Sequence, residues 1–144
     1  MGKEMCFHLK LRQADRVLTS HYDGYLRGVG IKVTQFSILR CLNYFPEISH
    51  KELENKLILN QTTLTRNLKS LVNSGYIKSK PNEHDQRVKL LSLSHEGKSL
   101  YHRALSCWEE AQKSVSEKIG SELCEQLFAV SDSLVALNFD GINS

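Results

Sequence analysis

The chain has 144 residues, 40% hydrophobic and 24% charged, with eight Gly and only two Pro. That excludes collagen-like, disordered and disulfide-scaffold classes and suits one domain able to close its own core. The net charge of +3 is unevenly placed: five basic and three acidic residues in 1–30, twelve and six in 31–103, two and seven in 104–144.

The opening stretch Met1-Gly2-Lys3-Glu4-Met5-Cys6 has no apolar h-region and no cleavage site, so no secretory leader is expected. Gly2 is not followed by Ser or Thr at position 6, which argues against acylation. Apolar residues then fall at Phe7, Leu11, Ala14, Leu18, Tyr22 and Tyr25, one face of a long helix ending near Gly28-Val29-Gly30. A second helix is expected over 34–45, with Thr34 as N-cap, Phe36, Leu39, Leu42 and Phe45 inward, and Pro46 as the stop. The capping box Ser49-His50-Lys51-Glu52 opens a short helix through Leu57. Ile58-Leu59-Asn60 leads into another helix over 61–74, with Asn60 as N-cap and Gly75 as terminator.

After Gly75 the period becomes alternating. Residues 76–80 and 87–93 read as the two strands of a hairpin, joined by the turn-rich stretch 81–86. Ser94 then caps a long helix carrying Leu100, Ala104, Trp108, Ala111, Val115 and Ile119 on one face. Gly120-Ser121 breaks it, and Leu123, Leu127, Val130, Leu134 and Leu137 form the a/d seam of a last helix.

The expected fold is therefore mostly α with a small β-hairpin wing. A winged helix-turn-helix over 31–95 is flanked by helical regions at 1–30 and 96–144. The flanking regions have apolar faces and too little else in the chain to bury them, so they are expected to pair with a second copy, the alternative being that they pack on the winged domain within one chain.

The helix over 61–74 carries the informative chemistry. Leu64, Leu68, Leu71 and Val72 define its inner face; Thr62, Arg66, Lys69 and Asn73 project from the other, and none of these is acidic. Gln61, Thr62 and Thr63 supply short hydrogen-bonding groups in the first turn. Such a helix can enter a major groove, where Arg66 can take guanine bidentately and Lys69 can neutralise phosphate. The hairpin brings Lys78, Lys80, Arg87 and Lys89 against Glu83 and Asp85. Arg87 is the candidate for insertion into a narrow A·T-rich minor groove, with Asp85 pairing its guanidinium.

Three stretches together resemble the MarR-type regulators, the bacterial family of dimeric winged-helix transcription factors. They are Val33-Thr34-Gln35-Phe36-Ser37-Ile38-Leu39, Thr62-Thr63-Leu64-Thr65-Arg66-Asn67-Leu68 with Leu71 to Ile77, and Asp85-Gln86-Arg87-Val88 through Leu93-Ser94-His95-Glu96-Gly97. The resemblance extends in pattern from about Leu9 to Leu137. It implies a cytoplasmic homodimer, a repressor by family default, on a pseudo-palindromic operator of double-stranded DNA. Recognition positions fall on Asn60, Gln61, Thr62, Thr63, Thr65 and Arg66, and the wing pair on Asp85 and Arg87. It also implies a small-molecule effector, of unspecified identity, bound where the flanking helices meet the winged domain.

Two other readings stay open. One branch of the family senses organic hydroperoxides through a first-helix cysteine, which points to Cys6; matching Thr19 and Tyr22 to that branch, however, puts its cysteine at His8 and a second tyrosine at Val33. The other is a winged-helix protein-interaction module without DNA binding, against which Arg66, Lys69 and Arg87 argue. The four cysteines Cys6, Cys41, Cys107 and Cys124 form no CxxC and read as reduced thiols. No phosphate loop, nucleophile motif, metal-ligand spacing or membrane span stands out, so no enzyme, cofactor, metal or membrane association is expected.

Overall fold

A computed structural model of the chain describes residues 5–137; the Met1-Gly2 pair weighed above for acylation lies outside the described residues. In chain order the elements are α1 (Phe7–Leu26), a short 3-10 turn (Arg27–Val29), α2 (Val33–Tyr44), β1 (Ile48–Ser49), α3 (His50–Leu57), α4 (Gln61–Asn73), β2 (Ile77–Pro81), β3 (Lys89–Leu93), α5 (His95–Ile119) and α6 (Ser121–Leu137).

The second helix begins at Val33, and the N-cap position is Lys32 rather than the expected Thr34. The reason is one acceptor from outside the helix and one from its own first turn for the N–H groups at this end. Asp23 of α1 accepts from the Val33 amide at 2.8 Å, and Gln35 accepts from the Lys32 amide at 3.0 Å. The helix also ends one residue early. Phe45 is exposed rather than inward, with the Lys56 ammonium 3.8 Å from its ring centroid.

The wing is three-stranded, in the order β1-β3-β2, where a two-stranded hairpin was expected. Two residues suffice for the extra strand: Ile48 pairs with Leu91 and Ser49 with Leu90. On the other side β3 pairs antiparallel with β2, from Ile77 opposite Leu93 to Pro81 opposite Lys89. The returning strand starts only at Lys89, so Arg87 and Val88 belong to the turn. The Val88 amide donates to the Asp85 carbonyl at 3.0 Å, and the Asn82 amide to the Val88 carbonyl at 2.8 Å, which curls the chain before the ladder resumes.

One core unites these elements. Phe36, Leu39, Leu42, Leu53, Leu64 and Leu71 are fully buried, together with Leu100 of α5. Phe36 stacks on both Tyr101 and Trp108 at 5.7 Å between centroids, so α5 closes the winged unit with aromatic faces. Burial also pushes the Tyr101 phenol above its ordinary pKa. The flanks contrast with this core. No described residue of α6 is buried, and Phe7 and Val17 of α1 stand out in solvent.

Candidate nucleic-acid interface

The helix-turn-helix is built by local chemistry. Ser49 Oγ accepts from the Glu52 amide at 3.1 Å and starts α3. The chain then reverses at Ile58, whose φ of 52° is the only positive φ at a non-glycine among the described residues. Asn60 Oδ1 accepts from the Thr63 amide at 2.8 Å and starts α4. At its far end, Gly75 lies at φ 81°; its amide donates to the Val72 carbonyl at 3.0 Å and the Tyr76 amide to the Leu71 carbonyl at 2.9 Å. That is a Schellman closure, which ends the helix sharply.

Packing of Leu64, Leu68 and Leu71 into the core turns the other side of α4 outward. Gln61, Thr62, Thr65, Arg66 and Lys69 are exposed and together line one shallow depression. Two expected recognition residues are partly occupied. The Asn60 side-chain oxygen is spent on its cap, and Thr63 is half-buried with its carbonyl accepting from Asn67 Nδ2 at 2.8 Å. Val72, expected inside, is exposed, because the wing diverges from the last turn of α4.

That divergence leaves a cleft of about 910 Å³ between α3, α4 and the wing. Leu68, Val72, Val88 and Leu91 contribute apolar surface to it; Lys51, Lys69, Arg87 and Lys89 contribute cations, with His50 and the Glu54 carboxylate beside them. The sequence offered His50 and Lys51 only as part of a capping box and Lys89 only as one of the hairpin cations. Their signal was position in a first helical turn and a strand start, which acquires meaning only when the two elements face each other.

At the wing tip, Asp85 and Arg87 meet as expected. Arg87 Nε donates to Asp85 Oδ1 at 3.0 Å, Nη2 to Oδ2 at 3.2 Å, and the Arg87 amide to Oδ1 at 3.1 Å. The guanidinium side chain nevertheless remains 92% exposed. Hydrogen bonds from the Arg87 side chain and then its backbone hold the Asp85 carboxyl below its ordinary pKa. Lys80 differs from its neighbours: its ammonium pairs with Glu47 at 3.1 Å, tying the outer strand to the loop after α2.

Cys6 is exposed just before α1. Tyr22, the residue matched to a thiol-binding tyrosine, donates instead to Gln112 Oε1 on α5. Within one chain a helix of that length puts Tyr22 roughly 24 Å from Cys6. Among the described residues, no three His, Cys, Asp or Glu side chains are grouped to hold a metal ion. No helix of the described residues is long and apolar enough to cross a membrane.

A helix-turn-helix with an outward polar and cationic second helix, backed by a three-stranded wing ending in an exposed Arg, defines a winged-helix DNA-binding protein. Comparison with known proteins narrows the class. Residues 31–89 match the model of the MarR family. The homoprotocatechuate degradative operon repressor of Escherichia coli is 26% identical over 129 residues, 90% of this chain and 87% of that protein. The M. tuberculosis transcriptional regulator MOSR, solved in complex with DNA, superposes with a TM-score of 0.79 and 27% identity over 92% of this chain and 98% of that one. NadR, solved in complex with 4-hydroxyphenylacetate, superposes at 0.75 with 24% identity, over 95% and 97% of the two chains. The chain therefore carries a MarR-family domain over residues 31–89 and is similar over most of its length to transcriptional regulators.

Proposed function

We propose that this chain is a repressor that binds a pseudo-palindromic operator as a homodimer and releases it when a small-molecule effector binds. The observation that carries the reading is the division of the surface. One side offers Gln61, Thr62, Thr65, Arg66 and Lys69 on α4 and Arg87 on the wing. The flanking helices instead expose large apolar side chains, among them Phe7 and Val17 on α1 and Leu127, Phe128, Leu134 and Leu137 on α6. Such a surface fits a second copy, which would place two recognition helices in successive major grooves about 34–36 Å apart. Residues 1–30 and 96–144 would then serve dimerisation and 31–95 DNA binding, with Asn60 acting as the helix cap and Thr63 as partly buried support.

The Arg40 side chain supports the effector part. It lies in α2 against α5, its guanidinium 4.4 Å from the Trp108 ring centroid and 5.7 Å from that of Tyr44. Its Nη1 is buried without a hydrogen-bond partner among the described residues. A buried, unsatisfied donor of that kind is costly, and an anionic ligand would relieve it. The relative crystallised with 4-hydroxyphenylacetate makes an aromatic acid the natural first trial.

The test is sedimentation of the purified chain followed by anisotropy titration against DNA from upstream of its own gene. Two chains per duplex and an affinity that falls steeply with salt are expected. A monomer, or salt-independent binding, would refute the proposal.

A further inference from the structure

We infer that Ser94 is a positioning residue that fixes the aim of the recognition helix relative to the long helix α5; the inference rests on the DNA-binding reading above. The junction is assembled from very few atoms. Ser94 Oγ accepts from the Gly97 amide at 3.0 Å and so caps α5. The same oxygen donates its proton to the Gly75 carbonyl at 2.6 Å, on the residue that ends the Schellman closure of α4. The Ser94 amide donates to the Tyr76 carbonyl at 3.0 Å. Ser94 is itself buried, so water does not compete for these bonds.

Gly97 closes the junction from the other side. A Cβ built there would lie 2.0 Å from the Tyr76 carbonyl oxygen, so the first turn of α5 rests directly on that peptide. The peptides that leave α4 and the first turn of α5 are thus joined by one hydroxyl, one backbone hydrogen bond and one close backbone contact. A helix cap alone needs only an acceptor. The second bond, from hydroxyl to Gly75, adds nothing to α5 and acts on α4 alone. Recognition helix and dimer arm then move as one body.

The test separates the cap from the bridge. Ser94→Asp keeps an acceptor for Gly97 and loses the donor to Gly75; Ser94→Thr keeps both; Ser94→Gly removes the hydroxyl without burying a charge. Electron–electron resonance would read the distance between spin labels at Ser70→Cys on α4 and Lys113→Cys on α5. The background would carry Cys6→Ser, Cys107→Ser and Cys124→Ser, with labelled chain diluted in unlabelled chain. Circular dichroism checks that each variant retains its helices. The expected result is an unchanged distribution for Ser94→Thr and a broadened or shifted one for both Ser94→Asp and Ser94→Gly. Operator affinity in those two should fall about tenfold, the size of one lost base contact. A wild-type distribution in folded Ser94→Asp or Ser94→Gly would overturn the inference, whatever the DNA titrations show. A wild-type chain that binds no DNA would sink the regulator reading, and the distance distributions would still decide whether Ser94 holds the junction.

Discussion

The Asp85 carboxylate grips the Arg87 guanidinium with both oxygens, at 3.0 and 3.2 Å, while leaving that side chain almost wholly in solvent. An acidic residue beside phosphate is unfavourable by charge alone, so its value lies in pre-aiming a long flexible cation. Asp85→Ala is therefore expected to weaken operator binding although it removes a negative charge, and Arg87→Ala to weaken it further and blunt the preference for A·T-rich flanks. Arg87→Ala should also lower the salt slope by about one. Tighter binding by Asp85→Ala in anisotropy titrations would refute the clamp.

The same pair sets a pH expectation. Asp85 titrates below its ordinary value of 3.8 because Arg87 bonds its charged form. The clamp is therefore fully present above that ordinary value and is lost only as pH falls through the lower folded one. The affinity ratio of wild type to Arg87→Ala should stay constant between about pH 5 and about pH 8. A ratio that collapses within that window would show that another group governs the wing.

Arg66 and Lys69 are one turn apart on the exposed side of α4 but should fail differently. Arg66→Ala is expected to cost about 1–3 kcal/mol and to relax base preference at one operator position. Lys69→Ala should weaken all sequences alike and reduce the salt slope by about one. Competition with single-base operator variants distinguishes them; equal loss of specificity in both would contradict the assigned roles.

How much of this was legible depended on distance along the chain. The caps at Ser49, Asn60 and Ser94 and the terminator Gly75 were readable because donor and acceptor lie within a few residues. The start of α2 was not, because its cap comes from Asp23 on another helix. Strand β1 is two residues long and exists through pairing with Leu90 and Leu91, far away in sequence. Helical periodicity put Val72 inside, but whether that position is covered depends on where the wing leaves α4. At the site, the exposed cations were readable as residues. That His50, Lys51 and Lys89 share a cleft with Lys69 and Arg87 was a tertiary fact.

Ile58 holds the helix-turn-helix turn in the left-handed region, at φ 52° and ψ 40°. That conformation costs a β-branched residue about 1–2 kcal/mol, which glycine escapes at an entropic cost of about 0.5–1 kcal/mol. Ile58→Gly should accordingly leave stability unchanged or raise it by up to about 1 kcal/mol in urea unfolding. A loss beyond about 1 kcal/mol would show that the Ile58 side chain contributes more packing than its half-open position implies.

Arg40→Ala should leave operator affinity without effector within about twofold, since the residue lies in α2 and not on the recognition helix or wing. If an aromatic acid such as 4-hydroxyphenylacetate releases the wild type from DNA, that release should be lost in this variant. If the wild type responds and Arg40→Ala responds equally, Arg40 is not the effector's anchor.

The central claim is that two copies read one symmetric DNA site. A footprint of the purified chain on DNA upstream of its own gene and its neighbours tests it most directly. The expected result is a symmetric protected region of roughly 20 bp at low salt, fading as salt rises. Absence of any protected site at low salt, or an asymmetric one indifferent to salt, would contradict it.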